Sequence, residues 1–254
     1  MAKLASPLFI VREECAADLF GALEKIAGIG FDGVEFLGLF GKSANEVKSK
    51  IDSLGLVSVG GHVSYGEFIL NADKIISDYK TLGSGYITIG PPPDENMPGG
   101  ARYAETISSM NKIGRAVRDS GMKLLFHNHA GELRVYGEKT ILEHLMDDTD
   151  PELLFLEPDL GWIKIGGGDP MYFLDKYGAR SPVVHFKDCV LPKTFRPTGY
   201  GEMENVRLYE KCLTLTPRPE WYVTDHDFSY ERDPFFDLKI SYEYFRNLAI
   251  VCGE

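Results

Sequence analysis

The chain has 254 residues, 44% of them hydrophobic and 26% charged, a composition typical of globular proteins that excludes a fibrous or low-complexity chain. Its formal net charge of −11 repels polyphosphate backbones and excludes a nucleic acid as the expected partner. Four scattered cysteines without a CxxC pair indicate a reducing compartment. No apolar run approaches the roughly eighteen residues of a membrane-spanning helix, and the N-terminus lacks a leader pattern, so we expect a cytoplasmic protein without a membrane partner.

Apolar segments rich in β-forming residues alternate with segments of helical period roughly every thirty residues, a pattern typical of βαβ units around a parallel sheet. Eight strands are predicted, the number in a closed (β/α)8 barrel. We therefore expect an α/β protein with one TIM-barrel domain over residues 1–254. The predicted strands are Leu8 to Val11, Gly33 to Phe36, Leu56 to Gly61, Tyr86 to Gly90, Lys123 to His127, Leu153 to Glu157, Pro182 to Phe186 and Trp221 to Asp225.

The intervening helices carry apolar stripes at i, i+3, i+4 spacing, which predict their buried faces. Two such stripes are Ile75, Tyr79, Leu82 and Tyr103, Ile107, Met110, Ile113, Val117. Asp-Pro pairs at Asp169 and Asp233 are expected to open helices, since aspartate caps free N–H groups and proline suits the first turn. Three glycines are expected to end helices in the left-handed conformation: Gly55, Gly121 and Gly178.

The longest irregular stretch, Gly90 to Gly100, follows the fourth predicted strand. A loop of this length after a barrel strand lies over the mouth of the barrel. Two interpretations stay open, a lid over the site and a plain surface loop.

Polar side chains concentrate at the carboxyl ends of the predicted strands, which all meet at one mouth of a barrel. All the histidines except His144 fall there, together with several carboxylates. Packing alone gives no reason to gather such groups, so they predict a site. A histidine and carboxylate set without thiolates suits Mn²⁺, Co²⁺, Zn²⁺ or Mg²⁺. The residues are His62, His127, His129, His185, His226, Glu35, Glu157, Asp159, Asp188, Asp225 and Asp227.

Three local motifs narrow this prediction. In LLFHNHAGEL, His127 and His129 share a face of an extended chain, so one could bind the metal and the other move a proton. In EPDLGWIKIGGGDP, Trp162 offers a flat wall for the C–H face of a sugar, and the triple glycine is a weak phosphate motif. In VVHFKD, His185 and Lys187 share one side of the strand and Asp188 lies opposite.

The set HNHAGE, DLGW followed by GGDP, HFKD followed by GYGE, and VTDHD resembles the xylose-isomerase-like (β/α)8 superfamily of sugar phosphate isomerase/epimerase type. That superfamily also contains inosose dehydratases and, more distantly, endonuclease IV. The resemblance covers nearly the whole chain and implies one divalent cation bound by four ligands from strands five to eight. Carried over by motif, the ligands are His127, Asp159, His185 and Asp225.

The chain departs from the family pattern at two of these ligand positions and at Trp162. His127 and Asp225 stand where relatives carry the two glutamates that act as an acid/base pair, which favours one-base chemistry over a symmetrical two-base epimerisation. Trp162 stands where many relatives carry a histidine, so a second metal is not expected.

The resemblance and the residues together predict a metal-dependent isomerase or epimerase acting on a sugar, a sugar phosphate or a cyclitol ketone, by α-proton abstraction through an enediolate. His129 is the expected base, Lys187 stabilises the enediolate, and Glu132 orients a histidine. Three polar residues are expected to bind substrate hydroxyls beside Trp162, namely Glu35, His62 and Lys164.

Two alternatives stay open. A dehydratase would eliminate water from the same enediolate, and a non-catalytic sugar-binding barrel would retain the cavity without the chemistry. The expected partner is a small carbohydrate, and a homo-oligomer is left open because relatives often form dimers or tetramers.

Overall fold

Parallel strands alternate with helices along residues 3–230 and 233–254, the part of the chain that this computed structural model describes. The strands are β1 (Leu4–Pro7), β2 (Gly33–Phe36), β3 (Val57–Val63), β4 (Tyr86–Ile89), β5 (Lys123–His127), β6 (Val135–Tyr136), β7 (Lys139–Thr140), β8 (Leu154–Glu157), β9 (Val183–Val190), β10 (Thr194–Arg196) and β11 (Trp221–Asp225). The helices are α1 (Arg12–Ile29), α2 (Ala44–Leu54), α3 (Tyr65–Leu82), α4 (Tyr103–Asp119), α5 (Ile141–Asp148), α6 (Leu160–Ile165), α7 (Pro170–Tyr177), α8 (Asn205–Thr214) and α9 (Pro234–Val251).

The sheet is a closed parallel barrel. Among the described residues, eight parallel strands follow one another in the order β9, β11, β1, β2, β3, β4, β5, β8, and the short strand β10 pairs antiparallel with β9. The ring closes between β8 and β9 through a bridge of Asp159 with His185, whose N–H donates to the Pro158 carbonyl at 3.0 Å. The predicted (β/α)8 barrel is therefore confirmed.

The two faces of each barrel strand serve different cores. Leu124 and Phe126 of β5 point outward and pack with the helices in the larger core. Leu125 between them points inward and packs with Val183 of β9 and Val223 of β11 inside the barrel. Because side chains alternate along a strand, the residues two positions beyond the inward ones also face the barrel axis, one layer nearer the mouth.

The first strand differs from its prediction. Leu8 to Val11 form a turn, and β1 covers Leu4–Pro7, where Ala5 pairs with Gly33 of β2 and with Val223 of β11. Leu8 and Val11 are buried all the same, because the turn packs into the outer core. A short run of apolar residues indicates that the segment is buried, but it does not distinguish a strand from a packed turn.

The other strands lie close to their predicted bounds, with β2, β5 and β11 matching residue for residue. Strand β9 continues past its predicted end, because β10 extends the pairing as far as Val190. The sequence analysis did not predict β10 or the β6–β7 hairpin.

The predicted helix signals are mostly confirmed. The Asp169 and Asp233 carboxylates accept the N–H groups of Met171 and Phe235 at 2.9 and 3.0 Å. Gly55 and Gly121 have φ of +70° and +90°. Gly178 is the exception, since its φ is −57° and a right-handed turn follows it.

Packing is close at position 178, because a Cβ there would lie 2.6 Å from a methyl group of Leu215, which would have to shift.

The loop from Gly90 to Gly100 folds against α4. It contains the short 3₁₀ turn Asp94–Asn96, and the buried Asn96 amide donates to Thr106 at 2.8 Å. Whether it is a lid stays a prediction. None of the helices in the described ranges has the length and apolar character needed to cross a membrane.

Candidate active site

A cavity of about 190 Å³ opens at the carboxyl ends of the barrel strands. It is smaller than the about 300–1,000 Å³ usual for drug-sized ligands, so a compact polar molecule fits it best. Its polar lining is Glu35, His62, His127, His129, His185, Lys187, Asp225 and Asp227, and its apolar rim includes Phe9, Phe36 and Leu37.

The floor of the cavity is a group of four side chains around Glu157, which is fully buried at the end of β8. The Glu157 Oε2 atom lies 2.9 Å from His62 Nε2, 3.1 Å from His127 Nδ1 and 3.6 Å from His185 Nε2. Glu35 approaches the same place from β2, with its Oε2 atom 3.1 Å from both His62 Nε2 and His185 Nε2. Strands distant in sequence thus bring their donor atoms to one point.

The charges in this floor are strongly interdependent. Burial raises the pKa of Glu157 to about 7, and the neighbouring Glu35 carboxylate adds to this effect. Burial acts the same way on Glu35, but His62 and His185 outweigh it and hold the pKa of that carboxyl well below its usual range. Burial lowers the pKa of His62, whereas the carboxylates Glu35 and Glu157 together raise it to about 10.

His127 behaves in the opposite way. Burial, followed by the charges on His62 and His185, lowers the pKa of His127 well below its usual value. A neutral imidazole with a free lone pair is the form in which histidine binds a metal ion.

A second group surrounds Lys187, an almost fully buried lysine of β9. Its Nζ atom lies 3.0 Å from Asp159 Oδ2, 3.0 Å from Asp225 Oδ2 and 2.5 Å from Asp227 Oδ1. Burial opposes the ammonium form, but these carboxylates prevail and raise the pKa of Lys187. His185 joins the two groups, because its Nδ1 atom lies 3.1 Å from Asp225 Oδ2.

The donor atoms of this site fit a divalent cation. Two sets of side chains bring one donor atom each within 4.8 Å of the others: His62, His127, Glu157 and His185 form one, and Asp159, His185 and Asp225 form the other. Two further carboxylate oxygens of the site, Glu35 Oε1 and Asp225 Oδ1, are buried without a hydrogen-bond partner among the described residues. The ligand set predicted from the sequence draws on both sets.

His129 lies at the rim of the cavity, immediately after β5. Its ring is 5.2 Å from the His127 ring and 5.3 Å from the Trp162 ring, measured between centroids. Desolvation and the nearby Lys187 ammonium lower the pKa of His129 to about 4, so its imidazole is neutral near pH 7. Glu132 accepts the His129 backbone N–H at 2.7 Å, which fixes the turn that carries the ring.

Two predicted substrate-binding residues lie elsewhere. Lys164 donates to the Glu202 carbonyl at 2.7 Å and does not line the cavity. The buried Trp162 ring packs against His129 and Phe195, behind the cavity wall, so the structure does not bring it to the position expected for a sugar-stacking surface. Both follow Asp159 on α6, beyond the end of β8, and the Trp162 ring centroid lies 5.2 Å from the Lys187 ammonium.

Two further residues predicted to converge at the mouth turn away from it. His226 is buried outside the cavity, with Nε2 3.1 Å from Ser229 Oγ. Asp188 accepts backbone N–H groups from Cys189, Gly199 and Met203 and therefore organises the loop after β10.

Glu157 and Asp227 were predicted from the sequence to lie at strand ends, but neither was predicted to have a role. The direction of the Glu157 side chain could have been predicted, because side chains alternate along a strand. Glu157 lies two residues after the inward-facing Phe155 and pairs in register with His127. Phe9 was missed because it was assigned to a strand.

Comparisons with known proteins agree with the barrel fold. The model of the xylose isomerase-like TIM barrel family matches residues 23–206. An inosose dehydratase 2 from Bacillus cereus is 37% identical over 88 residues, a match that spans 34% of this chain and only 28% of the relative.

Solved structures share the fold at low identity. A sugar phosphate isomerase/epimerase from Parabacteroides distasonis superimposes with a TM-score of 0.79 at 19% identity, over 96% of this chain and 93% of that one. A 3-keto-D-glucoside 4-epimerase from E. coli gives 0.71 at 14% identity, over 97% and 100% of the two chains. With the family model matching most of its length, the chain belongs to the xylose isomerase-like TIM barrel family.

Proposed function

We propose that this protein is a metal-dependent enzyme that abstracts a proton next to the carbonyl group of a small keto sugar or cyclitol ketone. The observation that carries the proposal is the buried cluster of histidine and carboxylate donors at the floor of a small cavity, next to a neutral histidine at its rim. Perturbed ionisable groups that converge in a cleft are typical of catalytic sites.

We propose His62, His127, Glu157 and His185 as the metal ligands. Atoms that bind one ion at about 2.1 Å stand ~3–3.5 Å apart. Glu157 Oε2 lies 2.9 Å, 3.1 Å and 3.6 Å from the nearest ring nitrogens of His62, His127 and His185. Asp159 and Asp225 fit this role less well, because both already face the Lys187 ammonium at 3.0 Å. This revises the ligand set expected from the sequence, keeping His127 and His185.

A bound divalent cation supplies Lewis-acid polarisation of the carbonyl group. His129, neutral near pH 7, accepts the proton from the adjacent carbon. The Lys187 ammonium lines the cavity and offers positive charge to the substrate oxygen that becomes negative. Asp227 holds that ammonium in place, and Glu132 holds the backbone of the base.

Two outcomes follow from the same proton abstraction. Return of the proton to carbon gives an isomer or epimer, whereas loss of a hydroxyl group from the next carbon gives a dehydrated product. The names of the relatives include both kinds of enzyme, so both routes belong to the proposal.

The test is proton exchange in deuterated water, followed by mass spectrometry with inososes, ketohexoses and 3-ketoglucosides. We expect deuterium incorporation or loss of water that requires added Mn²⁺, Co²⁺, Zn²⁺ or Mg²⁺. His129→Gln should reduce the rate at least 100-fold, and His144→Gln, a histidine outside the cavity, should leave it unchanged. Binding of a sugar without exchange under any metal would identify a sugar-binding barrel and refute the proposal.

A further inference from the structure

A second, larger groove adjoins the cavity. Leu37 and His62 line both spaces, so the groove and the cavity meet at these two side chains. The groove has a volume of about 740 Å³, compared with about 190 Å³ for the cavity, and runs between the loop after β2 and helix α3. A molecule with its reacting end on the histidine floor would have room to continue into the groove.

The walls of the groove are polar and balanced in charge. Besides Tyr79 and the shared His62, its ionisable lining residues are two lysines and two acids, and Lys74 lies 2.5 Å from Asp78. His62 already faces the carboxylates of Glu35 and Glu157 in the cavity. In the rest of the groove a dianionic phosphate would meet as many carboxylates as ammonium groups, which gives it little net attraction. Hydroxyl groups, in contrast, can both donate to and accept from such a lining. The polar residues are Lys42, Ser64, Glu67, Asn71, Lys74 and Asp78.

The backbone keeps this space open. Gly38 and Gly41 turn the loop after β2 with φ of +72° and +78°, conformations that side chains with a Cβ rarely adopt. On the opposite wall, helix α3 bends at Asn71, where φ is −129°. Ile75 and Tyr79 are buried and fix the floor of the groove. The groove is therefore a product of the fold rather than of mobile side chains.

We propose that the groove is a second substrate subsite, and that the substrate is a keto sugar joined by a glycosidic bond to a second neutral, polyhydroxylated group. This inference rests on the proposed function, because it assigns the reacting ketone to the cavity. It narrows the substrate class, favouring keto glycosides over free keto sugars and over sugar phosphates.

The test compares three probes in calorimetric titrations of the metal-loaded protein: 3-ketoglucose, 3-keto-cellobiose and 3-ketoglucose 6-phosphate. We expect the dissociation constant of 3-keto-cellobiose to be at least tenfold lower than those of the other two. The double variant N71A/K74A should lose this advantage and still bind 3-ketoglucose like the wild type. Asp73→Ala, exposed on the same helix and outside the groove, should keep it.

The outcomes separate the two proposals. Equal affinities for 3-ketoglucose and its cellobiose analogue would overturn the subsite, as would tightest binding of the phosphate. Preferred binding of the disaccharide without deuterium exchange would uphold the subsite and refute the enzymatic proposal. Absence of binding by all three probes would overturn the subsite, and the exchange assay with inososes and ketohexoses would then decide the function independently.

Discussion

Lys187 shows how one residue sets the charge balance of the site. Its ammonium group is almost completely buried and contacts three carboxylates, from Asp159, Asp225 and Asp227. Removing a charge from water costs several kcal/mol, and only close partners offset this cost. The lysine therefore allows three carboxylates to stay ionised side by side at the mouth of the barrel.

Replacement of Lys187 by methionine should destabilise the protein by about 3–5 kcal/mol, because a buried ion pair that loses one partner leaves uncompensated charge. Urea denaturation with a chelator present measures this change. Lys164→Met is the control, since that lysine makes one bond to a carbonyl group near the surface, and it should cost about 1 kcal/mol. A loss below 1 kcal/mol in K187M would show that the carboxylates take up protons at little cost.

Glu35 and Glu157 show that the same residue type is tuned in opposite directions by its neighbours. Burial raises the pKa of both, but His62 and His185 outweigh it at Glu35, whereas at Glu157 the negative charge of Glu35 adds to it. The pKa of Glu35 therefore falls while the pKa of Glu157 rises to about 7. The protonation of each of these residues therefore depends on the protonation of its neighbours, so that they titrate as a group.

At the scale of elements, Asp188 organises the loop between β10 and α8. Its carboxylate accepts the N–H groups of Cys189 at 2.9 Å, Gly199 at 2.8 Å and Met203 at 3.1 Å, and the side-chain amide of Asn205 at 2.9 Å. Gly201 approaches so closely that an added Cβ would lie 2.2 Å from this carboxylate. The HFKD and GYGE motifs are thus two halves of one structural unit.

Asp188→Ala should destabilise the protein by about 2–4 kcal/mol, since several buried donors lose their acceptor at once. Hydrogen exchange over residues 197–205 should rise well beyond the change in the rest of the chain. Asp169→Ala is the comparison, because it removes only a helix cap worth about 1 kcal/mol. Equal exchange of the loop in both variants would contradict the organising role of Asp188.

The contact of α5 with α7 provides a prediction about acid stability. Glu143 accepts from the Thr140 N–H and from the Tyr172 and Lys176 side chains at 2.7 to 2.8 Å. Burial opposes ionisation, but the Lys176 bond and the others prevail and lower the pKa of Glu143 to about 2. A lowered pKa in the folded state stabilises the protein above the unfolded pKa near 4.5, and this stabilisation is lost as the pH falls toward 2.

Glu143→Gln should therefore reduce the free energy of unfolding by about 1–3 kcal/mol at pH 6, and by progressively less as the pH falls from 4.5 to 2. Urea denaturation of both proteins at pH 6 and pH 3 provides the comparison. A difference between them that stays constant over this range would show that the carboxylate charge does not stabilise the contact.

At the scale of the whole molecule, the alternation of strands with helices and the convergence of polar strand ends at one mouth were predictable from the sequence. The direction of a side chain was predictable only along extended strands. His127, His185, Lys187 and Asp225 reach the cavity because each lies at or near the end of a strand whose inward face is fixed by parity. Trp162 illustrates the limit, since it lies on helix α6 beyond the strand, where the alternation of strand side chains no longer applies.

Distances between strands also lay beyond the sequence. Motif matching assigned Asp159 and Asp225 to the ion, and they do lie near His185. It did not show that the Lys187 ammonium would stand 3.0 Å from both, or that His62 would reach Glu157 across the barrel. Such contacts depend on the register between neighbouring strands of the closed sheet, which the pattern of residues along the sequence does not give.

Closure of the barrel links the site to global stability. Among the described residues, β8 and β9 are joined by the bridge of Asp159 with His185, and Glu157 precedes this bridge by two residues. A metal ion held by residues of both strands would reinforce the seam. Saturation to about 100 times the dissociation constant adds ~2.7 kcal/mol of stability, or roughly 5–10 °C in Tm for a chain of this size.

We therefore expect Mn²⁺, Co²⁺ or Zn²⁺ to raise the Tm by this amount over the chelated protein, measured by differential scanning calorimetry, with slower hydrogen exchange in β8 and β9. Glu157→Gln should abolish the increase, and Asp227→Asn, which contacts Lys187 instead, should retain most of it. If Asp159→Asn abolished the shift while Glu157→Gln kept it, the ion would bind to the aspartates that surround Lys187, because only that set contains Asp159.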